Sequence, residues 1–156
     1  MELADILSEE SVVACTDIRD KQHLLDVLSR HAAGLTGQDP QAILEALTAR
    51  EELGSTGLGN GIAIPHGKSA GVSRVMAVFA RLAEPVDFDA VDDQPVDLAM
   101  MLLAPMGAGA DHLKALARVA RLLRTESVVE QLRAADEPKK LYEILTTAPV
   151  AANFAA

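Results

Sequence analysis

The sequence predicts an α/β fold, a single-domain sandwich in which a mixed central β-sheet is flanked by helices. Helical periodicity fills the first and last thirds of the chain, and two short, almost continuously apolar runs lie between them. Runs of that kind are typical of strands covered on both faces, and helices before and after them are typical of a layered α/β domain. A chain of 156 residues, 49% of them hydrophobic, fits one such domain.

Two amphipathic helices are predicted first. Apolar side chains recur at helical spacing over residues 20–35, and a pair of glycines marks the end. The second helix begins at Asp39-Pro40, a cap followed by a first-turn proline, and stops before Gly54. Its apolar stripe also carries Arg50, which is therefore placed toward the body of the protein.

The apolar runs are residues 75–82 and 98–104, and we expect them to be central strands. Helical spacing returns over residues 111–124, where Asp111 is the expected cap. Two shorter helices are expected to follow, from about Thr125 and from about Asp136. Strand order does not follow from this pattern.

The expected domain covers residues 1–147. Residues 148–156 form an alanine-rich tail, which we expect to be frayed because terminal residues without apolar anchors order poorly. The first residues include Glu2 and Asp5 and do not form a basic segment followed by an apolar one, so no secretory signal is predicted. Together with the absence of an apolar run of membrane-spanning length, this predicts a cytoplasmic protein that is not an integral membrane protein.

Charge and composition exclude several classes of partner. A net charge of −9 disfavours nucleic acid and anionic membranes, which reward basic surfaces. Aromatic residues make up 3% of the chain, too few for a platform that stacks single-stranded bases. The single cysteine, Cys15, permits no disulfide within the chain and fits a reducing compartment.

Residues 54–68 are the most informative segment, with four glycines within residues 54–61. Glycine-rich turns can present several backbone N–H groups to one phosphate. The P-loop spacing fails, however, since five residues separate Gly61 from Gly67-Lys68-Ser69 where that motif has four. The dinucleotide-binding spacing fails as well. Neither nucleotide-binding motif is present.

His66 stands between Pro65 and Gly67, directly after a short apolar run. The proline restricts the approach of the chain and the glycine leaves one side open, so the imidazole can be exposed at a strand end. With an ordinary pKa near 6.5 the ring is largely neutral at pH 7 and able to act as a nucleophile. These local features also fit a polar residue with no chemistry, and they leave both readings open.

Residues 50–67 read REELGSTGLGNGIAIPHG and closely resemble the signature of the mannitol/fructose-type IIA proteins of the bacterial phosphotransferase system. The resemblance continues through residues 85–88, 94–98 and 111–113, so it covers nearly the whole chain. Within that family the chain looks most like the nitrogen-regulatory branch. The resemblance implies that His66 accepts a phosphoryl group from the phosphohistidine of an HPr-like carrier protein.

The resemblance also implies that Arg50 and His112 line the pocket of His66 and stabilise the phosphoryl group. Phosphoryl transfer requires positioning and charge stabilisation, which a guanidinium and the first turn of a helix can supply. Ser55 and Thr56 are further candidates for binding phosphate, or they simply cap the turn. No cofactor is expected, and no metal, because the spacing of His66, Asp111 and His112 matches no standard ligand pattern.

Three functions remain open. In the first, the chain is a regulator whose phosphorylation state changes which proteins it binds, such as a transporter or a sensor kinase. In the second, it is a sugar-transport component that passes the phosphoryl group to a fructose/mannitol-type IIB domain. In the third, it is a binding module that has lost the chemistry. Joint retention of Arg50, His66 and His112 disfavours the last. No IIB or membrane portion is fused within these 156 residues, which favours regulation and leaves enzymatic activity as such undecided.

Overall fold

A six-stranded mixed sheet forms the middle of the computed structural model, which describes residues 2–152. Its strands are β1 (Val12–Cys15), β2 (Gly57–Gly59), β3 (Ile62–Ala63), β4 (His66–Ser69), β5 (Met76–Val86) and β6 (Val96–Pro105). The order across the sheet is β1-β5-β6-β3-β2, and β4 also pairs with β6. β5 and β6 are antiparallel, whereas β1 is parallel to β5, and β3 and β4 are parallel to β6. The predicted mixed central sheet is confirmed.

β5 and β6 are the two central strands that the apolar runs predict. β5 begins one residue later than its run and extends four residues past it, and β6 extends its run by two residues at the start and one at the end. Every residue from 98 to 104 is buried. Their continuous hydrophobicity follows from their position, since helices cover both faces of the sheet.

Helices α1 (Lys21–Thr36) and α2 (Pro40–Glu52) form the layer on one face. The Asp20 carboxylate caps α1 by accepting a hydrogen bond from the backbone N–H of His23 at 2.8 Å. The αL conformation of Gly37, with φ of 76°, ends the helix. Asp39 caps α2 and Pro40 fills its first turn. The predicted bounds of both helices agree with the structure to within about a residue, and the predicted cap at Asp39 is confirmed.

Helices α3 (Gly109–Leu122), α4 (Glu126–Ala134) and α5 (Pro138–Ala152) cover the opposite face. The prediction that Asp111 caps α3 is wrong, because the helix begins two residues earlier and Asp111 lies in its first turn. With 15 residues, α5 is longer than the short helix predicted from Asp136. The expected frayed tail begins within α5, and residues 153–156 lie outside the described part of the chain.

Three strands were not predicted, namely β1, β2 and β4, whereas β3 is the short apolar run before His66, where the sequence predicts a strand end. Each of the three has three or four residues, too few for a period-2 pattern to stand out, and two of them begin in the glycine-rich segment. β1 also precedes α1, so the chain does not begin with helices alone. Two single 3₁₀ turns, Leu3–Asp5 and Glu9–Ser11, come before it.

Two hydrophobic cores lie on the two faces of the sheet. One packs β6 residues such as Met100 and Leu102 against α3, α4 and α5. The other packs the alternate β6 residues, including Met101 and Leu103, against α1 and α2. This arrangement confirms the predicted sandwich and sets α2 and α3 on opposite sides of the sheet.

β3 and β4 are two parts of one interrupted strand along β6. Ile62 pairs with Leu98 and His66 pairs with Leu102, and the Leu102 N–H donates to the Pro65 carbonyl at 2.9 Å between them. Among residues 2–152, no strand pairs with the outer edge of β4. A side chain from α2 can therefore reach around this edge to the other face.

Candidate functional site

His66 is the first residue of β4 and is partly buried. Its Nδ1 lies 2.9 Å from the carbonyl oxygen of Ile64. A carbonyl oxygen only accepts hydrogen bonds, so Nδ1 carries the ring hydrogen and donates it. Nε2 is then left with the free lone pair, which is the nucleophilic atom of a neutral imidazole.

Position 67 faces the side of the sheet opposite to the His66 side chain, because successive residues of a strand alternate between the two faces. Gly67 packs against Ala46 of α2, where an added Cβ would lie 3.1 Å from the Ala46 Cβ. His66 therefore faces the side of α3. This close packing brings the last turn of α2 to the exposed edge of β4.

Arg50 extends from that last turn and reaches His66. Its Nε lies 3.2 Å from the His66 Nε2 and donates to the lone pair. Its Nη1 donates to the carbonyl of Gly54 at 2.9 Å, which holds the guanidinium against the end of its own helix. A permanent, multidentate cation thus stands beside the nucleophilic nitrogen.

His112 lies in the first turn of α3, 7% exposed, with its ring 5.4 Å from that of His66 in an edge-on arrangement. The buried His112 Nε2 has no hydrogen-bond partner within residues 2–152. Buried polar atoms are seldom left unpaired, so this nitrogen is a candidate for binding an incoming oxygen. The structure brings Arg50, His66 and His112 together, as the resemblance implies.

Both ring pKa values are lowered from 6.5. Burial is the main cause for His66, and the charge of Arg50 adds to it, while the hydrogen bond to Ile64 and the charge of Glu51 oppose it. Burial also lowers the pKa of His112, helped by the neighbouring His66 and Lys68. Both imidazoles are thus neutral at pH 7, which leaves the His66 Nε2 lone pair available.

The hydroxyl groups of Ser55 and Thr56 are bonded within the loop. Ser55 Oγ donates to the Phe88 carbonyl at 2.8 Å and accepts from the Gly57 N–H at 3.1 Å. Thr56 Oγ1 donates to the carboxylate of Glu51. The structure favours the turn-capping alternative for both residues.

Glycines of this segment serve close packing and turn geometry. A Cβ on Gly57 would lie 2.7 Å from the Ala90 Cβ, and Gly59 and Gly61 have φ of 99° and 82° around the turn between β2 and β3. Arg133 of α4 also donates to the Asn60 carbonyl in this turn and pairs with Asp97. These glycines shape the support of the site.

Sequence reasoning assigned no role to Glu51, which follows Arg50 in α2 and is 9% exposed. Its carboxylate pairs with Lys21 of α1 at 3.0 Å. The signal that could have found it was a glutamate in the last turn of a helix, where the dipole disfavours a negative charge.

Between Glu2 and Ala152 no group of three or more His, Cys, Asp or Glu side chains is placed to hold a metal ion. Over the same residues no helix combines the length and the hydrophobicity needed to cross a membrane.

The family model described as "Phosphoenolpyruvate-dependent sugar phosphotransferase system, EIIA 2" matches residues 5–148. A nitrogen regulatory protein of Bradyrhizobium diazoefficiens is 45% identical over 152 residues, which cover 97% of this chain and 99% of the relative. A PTS system fructose-specific EIIA component of Haloferax volcanii is 44% identical over 107 residues, 69% of this chain and 70% of the relative.

The crystal structure of nitrogen regulatory protein IIA-Ntr from Neisseria meningitidis superposes with a TM-score of 0.85 at 35% identity, covering 92% of this chain and 99% of that one. The residues that the family model matches contain all six strands and the segment that carries His66. The resemblance drawn from the motif is thereby confirmed, and the chain belongs to the type 2 EIIA family of the phosphoenolpyruvate-dependent phosphotransferase system.

Proposed function

We propose that this protein is a regulatory phosphocarrier that accepts a phosphoryl group on Nε2 of His66 from an HPr-like carrier protein. The observation that carries the proposal is the pair of contacts on one ring. Nδ1 is held by the Ile64 carbonyl at 2.9 Å, and Nε2 faces the Arg50 guanidinium at 3.2 Å. The ring is therefore oriented, neutral and placed beside a cation.

The chemistry needs no further base. The Nε2 lone pair of His66 attacks the phosphorus of the donor phosphohistidine, the new N–P bond forms, and the donor N–P bond breaks with its electron pair returning to the donor ring. The Nδ1 hydrogen stays in place, and its hydrogen bond to Ile64 supports the positive charge that develops on the ring.

Arg50 and His112 stabilise the transferred group. Arg50 releases Nε2 as phosphorus approaches, and its guanidinium then binds the equatorial oxygens, on which charge is spread in the transition state. The unpartnered His112 Nε2 becomes a donor to one oxygen in the tautomer that carries its hydrogen there. Ser55 and Thr56 support the loop and are left out of this set.

Labelling tests the acceptor. With phosphoenolpyruvate and the general phosphotransferase carriers, the wild-type protein should take up phosphate in an acid-labile, alkali-stable form. His66→Ala should take up none, and His23→Ala, a change on the capped start of α1, should behave as wild type. Label retained by His66→Ala would show that another residue is the acceptor.

Regulation is favoured over transport because a relative that is 45% identical over 97% of this chain and a solved structure that is 35% identical over 92% of it are both named nitrogen regulatory proteins. A phosphoryl group adds about two negative charges to His66. Leu53 and Leu113, 83% and 69% exposed, are next in sequence to the end of α2 and to His112. A partner that docks on such apolar residues must desolvate those charges, so it should prefer the unmodified protein.

Partner capture distinguishes regulation from transport. We expect His66→Asp, which adds charge without the chemistry, to lose at least one partner that wild type and His66→Ala retain, such as a transporter or a sensor kinase. Identical partners for all three proteins, with rapid dephosphorylation by a fructose/mannitol-type IIB protein, would favour the transport role instead.

A further inference from the structure

Glu51 is a buried carboxylate directly behind the site. Its side chain is 5% exposed, and both oxygens are bonded. Oε1 accepts from the Thr56 N–H at 3.0 Å and pairs with the Lys21 ammonium at 3.0 Å, while Oε2 accepts from the Thr56 hydroxyl. One carboxylate thus joins the start of α1 to the loop that follows α2.

Lys21 is held as firmly as its partner. Its side chain is 20% exposed, and its ammonium lies 4.5 Å from the centroid of the Phe88 ring and 3.9 Å from the Asp89 carboxylate. Burying an ion pair costs desolvation energy that its attraction often fails to recover, so a buried pair is weak evidence for stability alone. A role in fixing one geometry is a better account of this pair.

A path of hydrogen bonds, joined by the backbones of Thr56 and Ile64, runs from Glu51 to the nucleophile. Thr56, fixed by Glu51, accepts a hydrogen bond on its carbonyl from the Ile64 N–H at 3.1 Å. The Ile64 carbonyl in turn accepts from Nδ1 of His66 at 2.9 Å. Ile64, whose carbonyl sets the tautomer of His66, is therefore held through its N–H by the loop that Glu51 anchors.

Glu51 also adjoins Arg50, so the two consecutive side chains hold the loop from both sides. Arg50 binds the Gly54 carbonyl and Glu51 binds the N–H and the hydroxyl of Thr56. Movement of this loop would disturb both contacts of the His66 ring, the one at Nδ1 through Ile64 and the one at Nε2 through Arg50.

We infer that Glu51, paired with Lys21, is a positioning residue for phosphoryl transfer. Glu51 keeps His66 in the tautomer that has its lone pair on Nε2. The inference rests on the proposed function for its effect on rate, whereas its effect on the ring is independent of any phosphoryl donor. Glu51 touches neither His66 nor the transferred group in this role, and it acts through Thr56 and Ile64.

The direct test is the ¹⁵N NMR spectrum of the His66 imidazole in the unphosphorylated protein. Wild type should show Nδ1 protonated and Nε2 unprotonated at neutral pH. Glu51→Gln should shift the ring toward a mixture of tautomers. Glu52→Gln, the same change at the exposed neighbouring residue, should leave the spectrum as in wild type.

The pKa of His66 is a second measurable quantity. If Glu51 had a purely structural role, its replacement would not shift this pKa in a defined direction. The charged or titratable groups acting on this ring are Arg50 and Glu51 of α2, His112 of α3 and, through His112, Lys68 of β4. Because the negative charge of Glu51 raises the pKa of His66, Glu51→Gln should lower it. Glu52→Gln should have little effect.

Phosphoryl transfer from the carrier protein gives the third reading. A misplacement of about 1 Å can cost roughly a hundredfold in rate, and we expect Glu51→Gln to slow acceptance by about tenfold or more. Thr56→Val, which removes the hydroxyl contact, should slow it in the same direction, and Thr56→Ser should restore it. These Thr56 variants and Lys21→Met carry the test if Glu51→Gln fails to fold.

An unchanged tautomer and an unchanged rate in a folded Glu51→Gln variant that is only less stable would overturn the inference. If wild type accepted no phosphoryl group, the proposed function would fail, and the spectra alone would still decide whether Glu51 orients the ring. A tautomer shift in Glu51→Gln with a wild-type rate would also overturn the positioning role.

Discussion

Gly67→Ala should weaken the site without touching any group that does chemistry. Gly67 lies in β4 next to His66 and packs against α2 at Ala46. Ala46 and Arg50 are four residues apart, on the same face of the helix. A methyl group at position 67 therefore presses on α2 one turn before the guanidinium that contacts His66.

The size of the effect follows from the packing distances. The added Cβ would lie 3.1 Å from the Ala46 Cβ and 3.3 Å from its carbonyl carbon. Ordinary contacts between carbon atoms begin at about 3.5 Å, so α2 must retreat by a few tenths of an ångström. Overpacking of this kind typically costs about 1–3 kcal/mol of unfolding free energy, a fall of about 2–12 °C in Tm for a chain of this length.

The same movement lengthens the contact between Arg50 Nε and His66 Nε2. That distance is already 3.2 Å, near the upper end of the usual range of about 2.7–3.2 Å for N–H hydrogen bonds. A guanidinium displaced by several tenths of an ångström stabilises the transferred group less well. We expect acceptance to slow by about tenfold to a hundredfold.

The assay combines thermal unfolding with rapid-quench measurement of transfer from the phosphorylated carrier. Gly34→Ala is the matched control. It makes the same substitution within α1, at a position where an added Cβ meets nothing within 4 Å. It should raise the unfolding free energy by about 0.5–1 kcal/mol and leave the rate unchanged. A Gly67→Ala protein that is destabilised as expected but transfers at the wild-type rate would show that the packing of α2 on Gly67 does not hold Arg50 in place.

Three further predictions concern the charges of the site. Arg50→Ala and His112→Ala should each stay folded and accept phosphate about a hundredfold more slowly in the same rapid-quench assay, because each loses a well-placed donor. Arg30→Ala, on the exposed face of α1, is the control. A wild-type rate for Arg50→Ala would show that the pocket is misassigned. Arg50→Lys keeps the positive charge but loses the planar, multidentate guanidinium, so its transfer rate should fall between those of wild type and Arg50→Ala. A rate equal to that of wild type would mean that charge alone suffices. Burial lowers the pKa of His66 and of His112 below 6.5, so below that pH the unfolded protein binds more protons than the folded one. The contribution of the two histidines to stability is therefore full above pH 6.5 and is lost as the pH falls below it. NMR titration should place both midpoints under 6.5, and midpoints above 6.5 would contradict this.

The central part of the fold was predictable because its signal is strong. The buried runs of β5 and β6, and the caps at Asp20 and Asp39, are local patterns that agree with the whole structure. β2 and β4 were missed because strands of three or four residues exist only through pairing, here with β3 and β6. The start of α3 was misjudged because Asp111 looks like a cap in sequence, while Ala108 occupies the cap position.

The site was predictable to the extent that one motif contains it. Arg50 and His66 lie 16 residues apart in that motif, and the structure joins them by a direct hydrogen bond. Lys21 could not be connected with Glu51 from sequence, because a lysine at the first position of a helix looks solvated and its partner lies 30 residues later. The hydroxyls of Ser55 and Thr56 were equally undecidable, since their acceptors come from the fold of the loop.

Long-range ¹H–¹⁵N NMR of the phosphorylated protein identifies which nitrogen of His66 carries the phosphoryl group. The contacts of His66 predict phosphorylation at Nε2, with Nδ1 still protonated and bonded to the Ile64 carbonyl. The spectrum should then show coupling of phosphorus to Nε2 only. Phosphorus on Nδ1, or on a ring other than that of His66, would contradict the account.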